Sequence, residues 1–186
     1  MPTVVVYDAN VLYPSTLRDV LIRVGLARLV QPKWTEQILD ETFRNLRTNR
    51  PDLDAAQLER TRTLMNVALR DVMVTGYERR IDTLSLPDPD DRHVLAAAIQ
   101  AEAELIVTKN LRDFPAEALL PLGIEAQHPD MFLSALHHDY PDVLATIITE
   151  IADAWCTADA TPARVLNSFA ADAPKTAALI RTTLGA

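Results

Sequence analysis

Hydrophobic positions along the first two thirds of the chain switch repeatedly between two spacings. Val4, Val5 and Val6 form a short, unbroken β-branched run that ends abruptly in Tyr7, Asp8, Ala9 and Asn10, the pattern of a strand buried on both faces. Leu17, Val20, Leu21, Val24 and Leu29 then recur at helical spacing, with Ser15 or Thr16 as the cap after Pro14. Gly25 interrupts this pattern without ending it. Residues 35–45 and 54–69 predict two further helices, residues 71–77 a second strand, and residues 77–84 a short helix or loop. The stretch LPDPDD at 86–91 reads as a turn that opens an alanine-rich helix over 92–103. Residues 105–108 predict a third strand, 109–113 a polar turn, 114–120 a helix and 124–127 a short last strand.

From Pro129 onward the pattern is helical and punctuated by proline, with helices expected over 131–138, 141–155, 162–171 and 174–184. Short strands alternating with helices, followed by helices alone, predict a three-layer α/β/α sandwich with a mostly parallel sheet over residues 1–127 and a helical extension over 128–186.

Composition adds three constraints. A hydrophobic content of 48% with only 4 Gly fits a folded, helix-rich chain, and no stretch is long enough to span a membrane. The three valines have no basic residue ahead of them and are too few for a signal peptide, and Cys156 is the single cysteine, so a soluble, cytoplasmic protein is expected. The net charge of −8 is uneven, with +2 over residues 1–50, −7 over 51–138 and −3 over 139–186. This disfavours coating of nucleic acid through a basic surface. It leaves room for a nucleic-acid enzyme in which metal ions and a few arginines face the phosphates.

Four carboxylates occupy strand tips or helix edges. Asp8 ends the first strand, where an open parallel sheet binds its ligands; it is equally a good cap for the next helix. On the helix over 35–45, Ile38, Leu39, Thr42, Phe43 and Leu46 mark the buried face. Glu41 borders it, with Asn45 beside it as a polar residue able to orient it, while Asp40 turns outward with Arg44 and Arg47. The alternative for Glu41 is a solvated ion pair with Arg44 at i+3. Asp91 opens the alanine-rich helix on its core side, ahead of the competing Asp88 and Asp90, and Asp113 follows the third strand.

Converging carboxylates repel one another unless a cation sits between them, and oxygen ligands with no His or Cys nearby favour Mg2+ or Mn2+ over zinc. His137 and His138 are adjacent and face different directions, and His93 falls on the far side of its helix from Asp91. No Ser or Cys nucleophile with an ordered histidine, and no glycine-rich phosphate loop, stands out.

The strings VVYDAN at 5–10, ILDETFRNL at 38–46, DPDDRHVLAAAI at 88–99 and VTKNLRDFP at 107–115 together resemble the PIN-domain ribonucleases, and among them the VapC-like toxins of bacterial toxin–antitoxin pairs. The resemblance covers roughly residues 3–127. It implies that Asp8, Glu41, Asp91 and Asp113 hold the metal and act in catalysis, with Asn10, Thr108 and Asn110 supporting them. Asn110 stands where the family has an acidic or amide residue, so it competes with Asp113 as fourth ligand. It further implies an RNA substrate, a cognate antitoxin protein and a homodimer, with no membrane partner. Arg44, Arg92, Lys109 and Arg112, together with Lys33 and Arg47, are candidate contacts to RNA phosphates or simply parts of a solvated face. A noncatalytic PIN-like module that binds RNA or protein is the alternative. A phosphatase of the haloacid dehalogenase type also begins with a strand ending in Asp, but it needs a second Asp two residues on, where this chain has Asn10.

Overall fold

The computed structural model describes residues 2–157 and 160–185. In chain order its elements are β1 (Thr3–Tyr7), α1 (Ala9–Leu12), α2 (Ser15–Leu26), β2 (Val30–Lys33), α3 (Glu36–Asn49), α4 (Ala55–Ala68) and α5 (Glu78–Ile81). A 3-10 turn at Pro89–Asp91 leads into α6 (Arg92–Gln100), then β3 (Leu105–Val107), a second 3-10 turn at Leu111–Asp113, α7 (Ala116–Leu119) and β4 (Glu125–Gln127). Four helices follow: α8 (Pro129–Asp139), α9 (Pro141–Ala154), α10 (Pro162–Phe169) and α11 (Pro174–Leu184).

The sheet is parallel throughout, in the order β2-β1-β3-β4, and helices flank it in an α/β/α arrangement. Chain connections run one way from β1 to β2 and the other way to β3, so the crevice at the carboxyl ends of β1 and β3 is the topological switch point. Register sharpens this placement. Tyr7 pairs with Val107, so the first residues beyond the two strands, Asp8 and Thr108, lie side by side.

Two expectations change on the sheet's outer side. The second strand is Val30–Lys33, which sequence pattern does not announce because it is short and contains Pro32. An edge strand tolerates that proline, since an edge residue has one face of backbone groups free of a ladder partner. Residues 71–77 do not form a strand; they contribute a single bridge between Trp34 and Met73, made by Trp34 N–H to the Val72 carbonyl (3.0 Å) and Val74 N–H to the Trp34 carbonyl (2.8 Å). The cap of α2 also differs: Pro14 holds the position, and Thr16 instead shares a 2.8 Å hydrogen bond with Ser168 in α10.

One hydrophobic core unites the sheet with the C-terminal helices. Val5, Val6, Leu21 and Ile106 share it with Leu133, Ile147, Ile148, Ile151 and Phe169, while Leu136 and Trp155 pack at its margin. Asp130 in α8 binds the start of α11, accepting the backbone N–H groups of Lys175 (3.0 Å) and Thr176 (2.8 Å). Among the described residues no helix is long and apolar enough to cross a membrane.

The helix α2 lies close against β2 at Gly25. A Cβ there would stand 2.5 Å from Pro32 Cγ and 2.9 Å from Pro32 Cδ. Alanine ordinarily favours a helix over glycine by about 0.5–1 kcal/mol, but overpacking costs ~1–3 kcal/mol, so the clash decides the sign. Gly25→Ala is expected to lower the thermal midpoint by several degrees in a melting curve; an unchanged or raised midpoint contradicts this packing.

Candidate metal centre at the sheet switch point

Asp8 is anchored from three sides. Its Oδ1 accepts the Ala9 N–H at 2.7 Å, which makes it the cap of α1, and its Oδ2 accepts the Thr108 hydroxyl and the Asn10 side-chain amide, each at 2.7 Å. The two roles weighed for Asp8 from sequence are thus not exclusive: it caps a helix and faces the cleft. Asn10 lies 2.9 Å from Thr108 Oγ1 and accepts the Lys109 N–H at 2.9 Å, and Asn110 N–H donates to Thr108 Oγ1 at 3.0 Å. Asp8, Asn10 and the β3 exit loop are therefore one hydrogen-bonded unit. Burial pushes the Asp8 carboxyl above its ordinary range, the Thr108 hydrogen bond opposes this, and the charge of Glu41 adds to it.

A cleft of about 660 Å³ opens over this unit, lined among others by Asp8, Asn10, Glu41, Asp88, Asp91 and Asn110. Asp88 ends the chain's approach to the 3-10 turn and caps it, accepting the Asp90 N–H at 2.9 Å. The turn carries Asp91 inward. One carboxylate oxygen each from Asp88, Asp91 and Asp113 lies within 4.8 Å of the others. Asp91 is half-buried and its carboxyl is pushed up to about 7, first by burial and then by the charges of Asp8, Asp88, Asp113 and Glu41. Asn110 donates its side-chain amide to Asp113. Hard oxygen donors crowded in this way fit a divalent cation.

Other sequence-derived candidates distribute unevenly. Glu41 lines the cleft, and Arg44 lines it too without pairing with Glu41. Asn45 is exposed and stands apart from the cleft, with no hydrogen bond to Glu41, because α3 turns that position to solvent. Asp40, expected to point away, also lines the cleft and pairs with Arg62 at 2.7 Å. Arg92 lines the cleft, its Nε donating to the Pro89 carbonyl at 2.9 Å. Lys109 is taken up by an ion pair with Asp172 from the α10–α11 turn, Lys33 donates to the Asp71 carbonyl, and Arg112 and Arg47 are exposed outside the cleft.

His93 is the residue that sequence reading misplaces. Instead of lying remote from the acidic set, it is buried in the cleft wall with Nε2 3.6 Å from Glu41 Oε2. The helical projection started at Asp91, but Asp91 belongs to the 3-10 turn and α6 begins only at Arg92, so the angular offset is wrong across that junction.

These strand tips and this loop order are accompanied by a sequence match: the PIN domain family matches residues 4–112. The chain belongs to the PIN domain family. It is also 42% identical over 91 residues to "Putative ribonuclease VapC50" of Mycobacterium tuberculosis, across 49% of this chain and 54% of that protein. The matched stretch thus spans about half the length of that relative. No solved structure matches the chain. The PIN match ends at Arg112, just past β3, so it contains Asp8, Glu41, Asp88 and Asp91 and stops one residue short of Asp113.

Asp91 gives the metal-free protein a pH signature. Its carboxyl titrates near 7 when folded against an ordinary 3.8, so between those values the folded chain holds a proton that the unfolded chain has lost. Stability from this group is full at low pH and falls as pH rises from about 4 towards about 7. Asp91→Asn is expected to flatten that slope and to raise the thermal midpoint of the metal-free protein at pH 8 by a few degrees. A lower midpoint at pH 8 contradicts the assigned repulsion.

Proposed function

We propose that this chain is a metal-dependent endoribonuclease that hydrolyses RNA phosphodiester bonds, the toxin of a toxin–antitoxin pair. The carrying observation is the convergence of carboxylates on Asp91 at the carboxyl ends of β1 and β3, in an open cleft. PIN family membership and the ribonuclease name of the relative support the same reading.

Asp8, Glu41, Asp91 and Asp113 hold the cation in this reading, with Asp88 beside them. When bound, Mg2+ or Mn2+ supplies Lewis-acid polarisation of a phosphodiester and a water acidic enough to attack at neutral pH. The chain's own residues supply the rest. Thr108 and Asn10 hold the Asp8 carboxylate in one orientation, Asn110 does the same for Asp113, and Arg44 and Arg92 on the rim meet the phosphates flanking the scissile bond. Such contacts give affinity without base choice, so selection of the RNA falls to its shape. Residues 1–127 form the nuclease unit and 128–186 an extension that completes its core. The protein works as a cytoplasmic homodimer, restrained by a cognate antitoxin.

The test is cleavage of total RNA by the purified chain with Mg2+ or Mn2+, with EDTA and Asp8→Asn as controls. Metal-dependent cleavage that EDTA abolishes and Asp8→Asn slows at least about 100-fold, roughly 2.7 kcal/mol of barrier, is the expected outcome. No cleavage by folded, metal-binding protein sinks the nuclease reading and favours a binding module.

A further inference from the structure

We infer that His93 is the positioning residue of Glu41, holding its carboxylate at the cleft through an Nε2–H proton that the fold assigns to that nitrogen. This rests on the reading of Glu41 as a metal ligand. Glu41 is less firmly held than Asp8 or Asp113. Its side chain is 35% exposed, it accepts no hydrogen bond from any described residue, and the His93 ring stands beside it with Nε2 3.6 Å from Oε2. Asp8, by contrast, is held by three donors and Asp113 by one. A long, mobile glutamate therefore depends on a single neighbour for its orientation.

That neighbour is rigid. His93 has a side chain 5% exposed and stands on the first turn of α6, which packs against β1 and β3. Its Nδ1 is sealed from solvent and has no hydrogen-bond partner among the described residues. The neutral ring has two ways to place its proton. On Nδ1 it creates a buried N–H with no acceptor and turns the Nε2 lone pair against the Glu41 carboxylate. On Nε2 it leaves only a bare lone pair at Nδ1 and aims an N–H at the carboxylate. Both comparisons favour Nε2–H. The 3.6 Å separation is just beyond hydrogen-bond range, and a small rotation of the Glu41 side chain closes it, as happens when a site tightens around its ligand. The ligand is thereby oriented from behind by a donor with no other partner, the arrangement by which outer hydrogen bonds tune metal-binding carboxylates.

Two measurements test this. Nitrogen-15 correlation spectra of the histidine rings in the metal-free chain, with the His93 signal assigned by its loss in His93→Gln, are expected to show the Nε2–H tautomer. Titration with Mn2+ is expected to show affinity lowered about 10–100-fold in His93→Leu and mostly restored in His93→Gln, whose amide N–H reaches towards Glu41 as Nε2 does. An Nδ1–H tautomer overturns the inference, as does a folded His93→Leu chain that binds Mn2+ like the wild type. Should the wild-type chain bind no Mn2+, the metal reading of the site fails, while the tautomer on the metal-free chain still decides the role of His93. If His93→Leu does not fold, recovery by His93→Gln and the tautomer carry the decision.

Discussion

The hydrogen bonds of Thr108 and Asn10 to Asp8 are the interaction on which this site depends. A carboxylate at the tip of a buried parallel strand is taken out of water, and burial alone drives it towards its neutral acid. Charge-assisted donors oppose that tendency because they are stronger than neutral ones and are already aimed. The pairing of Tyr7 with Val107 sets the spacing at which Thr108 reaches Asp8. With Asp8 fixed, the remaining carboxylates need only be brought near it, and this is done by elements of lower order: a 3-10 turn for Asp91, a helix edge for Glu41 and a second 3-10 turn for Asp113.

The C-terminal helices take part in this arrangement as well as in the core. Asp172, between α10 and α11, pairs with Lys109 in the loop that leaves β3, and Ser168 of α10 meets Thr16 at the start of α2. Lys109 also gives its backbone N–H to Asn10. The extension thus grips the loop that carries Thr108 and Asn110, with Lys109 as a structural tie.

Much of this was readable in the residues, and the failures have specific causes. The valine run of β1, the amphipathic helix α3 and the proline-led helices α8–α11 all declare themselves because their pattern is set by burial against one core. The edge strand β2 does not, since its four residues include Pro32 and Lys33 and its identity comes from its partner β1. Residues 71–77 look like a strand because Val72, Met73 and Val74 form a short apolar run, but only one bridge forms, beside Trp34. For the site, the acidic candidates were proposed from positions at strand tips and helix edges, and Asp8, Glu41 and Asp91 line one cleft with Asp113 near Asp91. His93 escaped because a wheel assumes one helical geometry, and the chain changes geometry between Asp91 and Arg92.

The bond between Thr108 and Asp8 joins residues 100 positions apart, and that separation has a meaning in time. While the chain is being made, Asp8 emerges long before the strand that brings its partner. At typical synthesis rates of ~5–20 residues per second the gap is about 5–20 s. During it Glu41 and Asp91 join Asp8 in the growing chain without a common geometry, since β1 has no β3 to pair with, and Asp113 follows only after Thr108. A site built this way has no common geometry until the second half of its sheet is in place, so its assembly is timed by the topology of the chain.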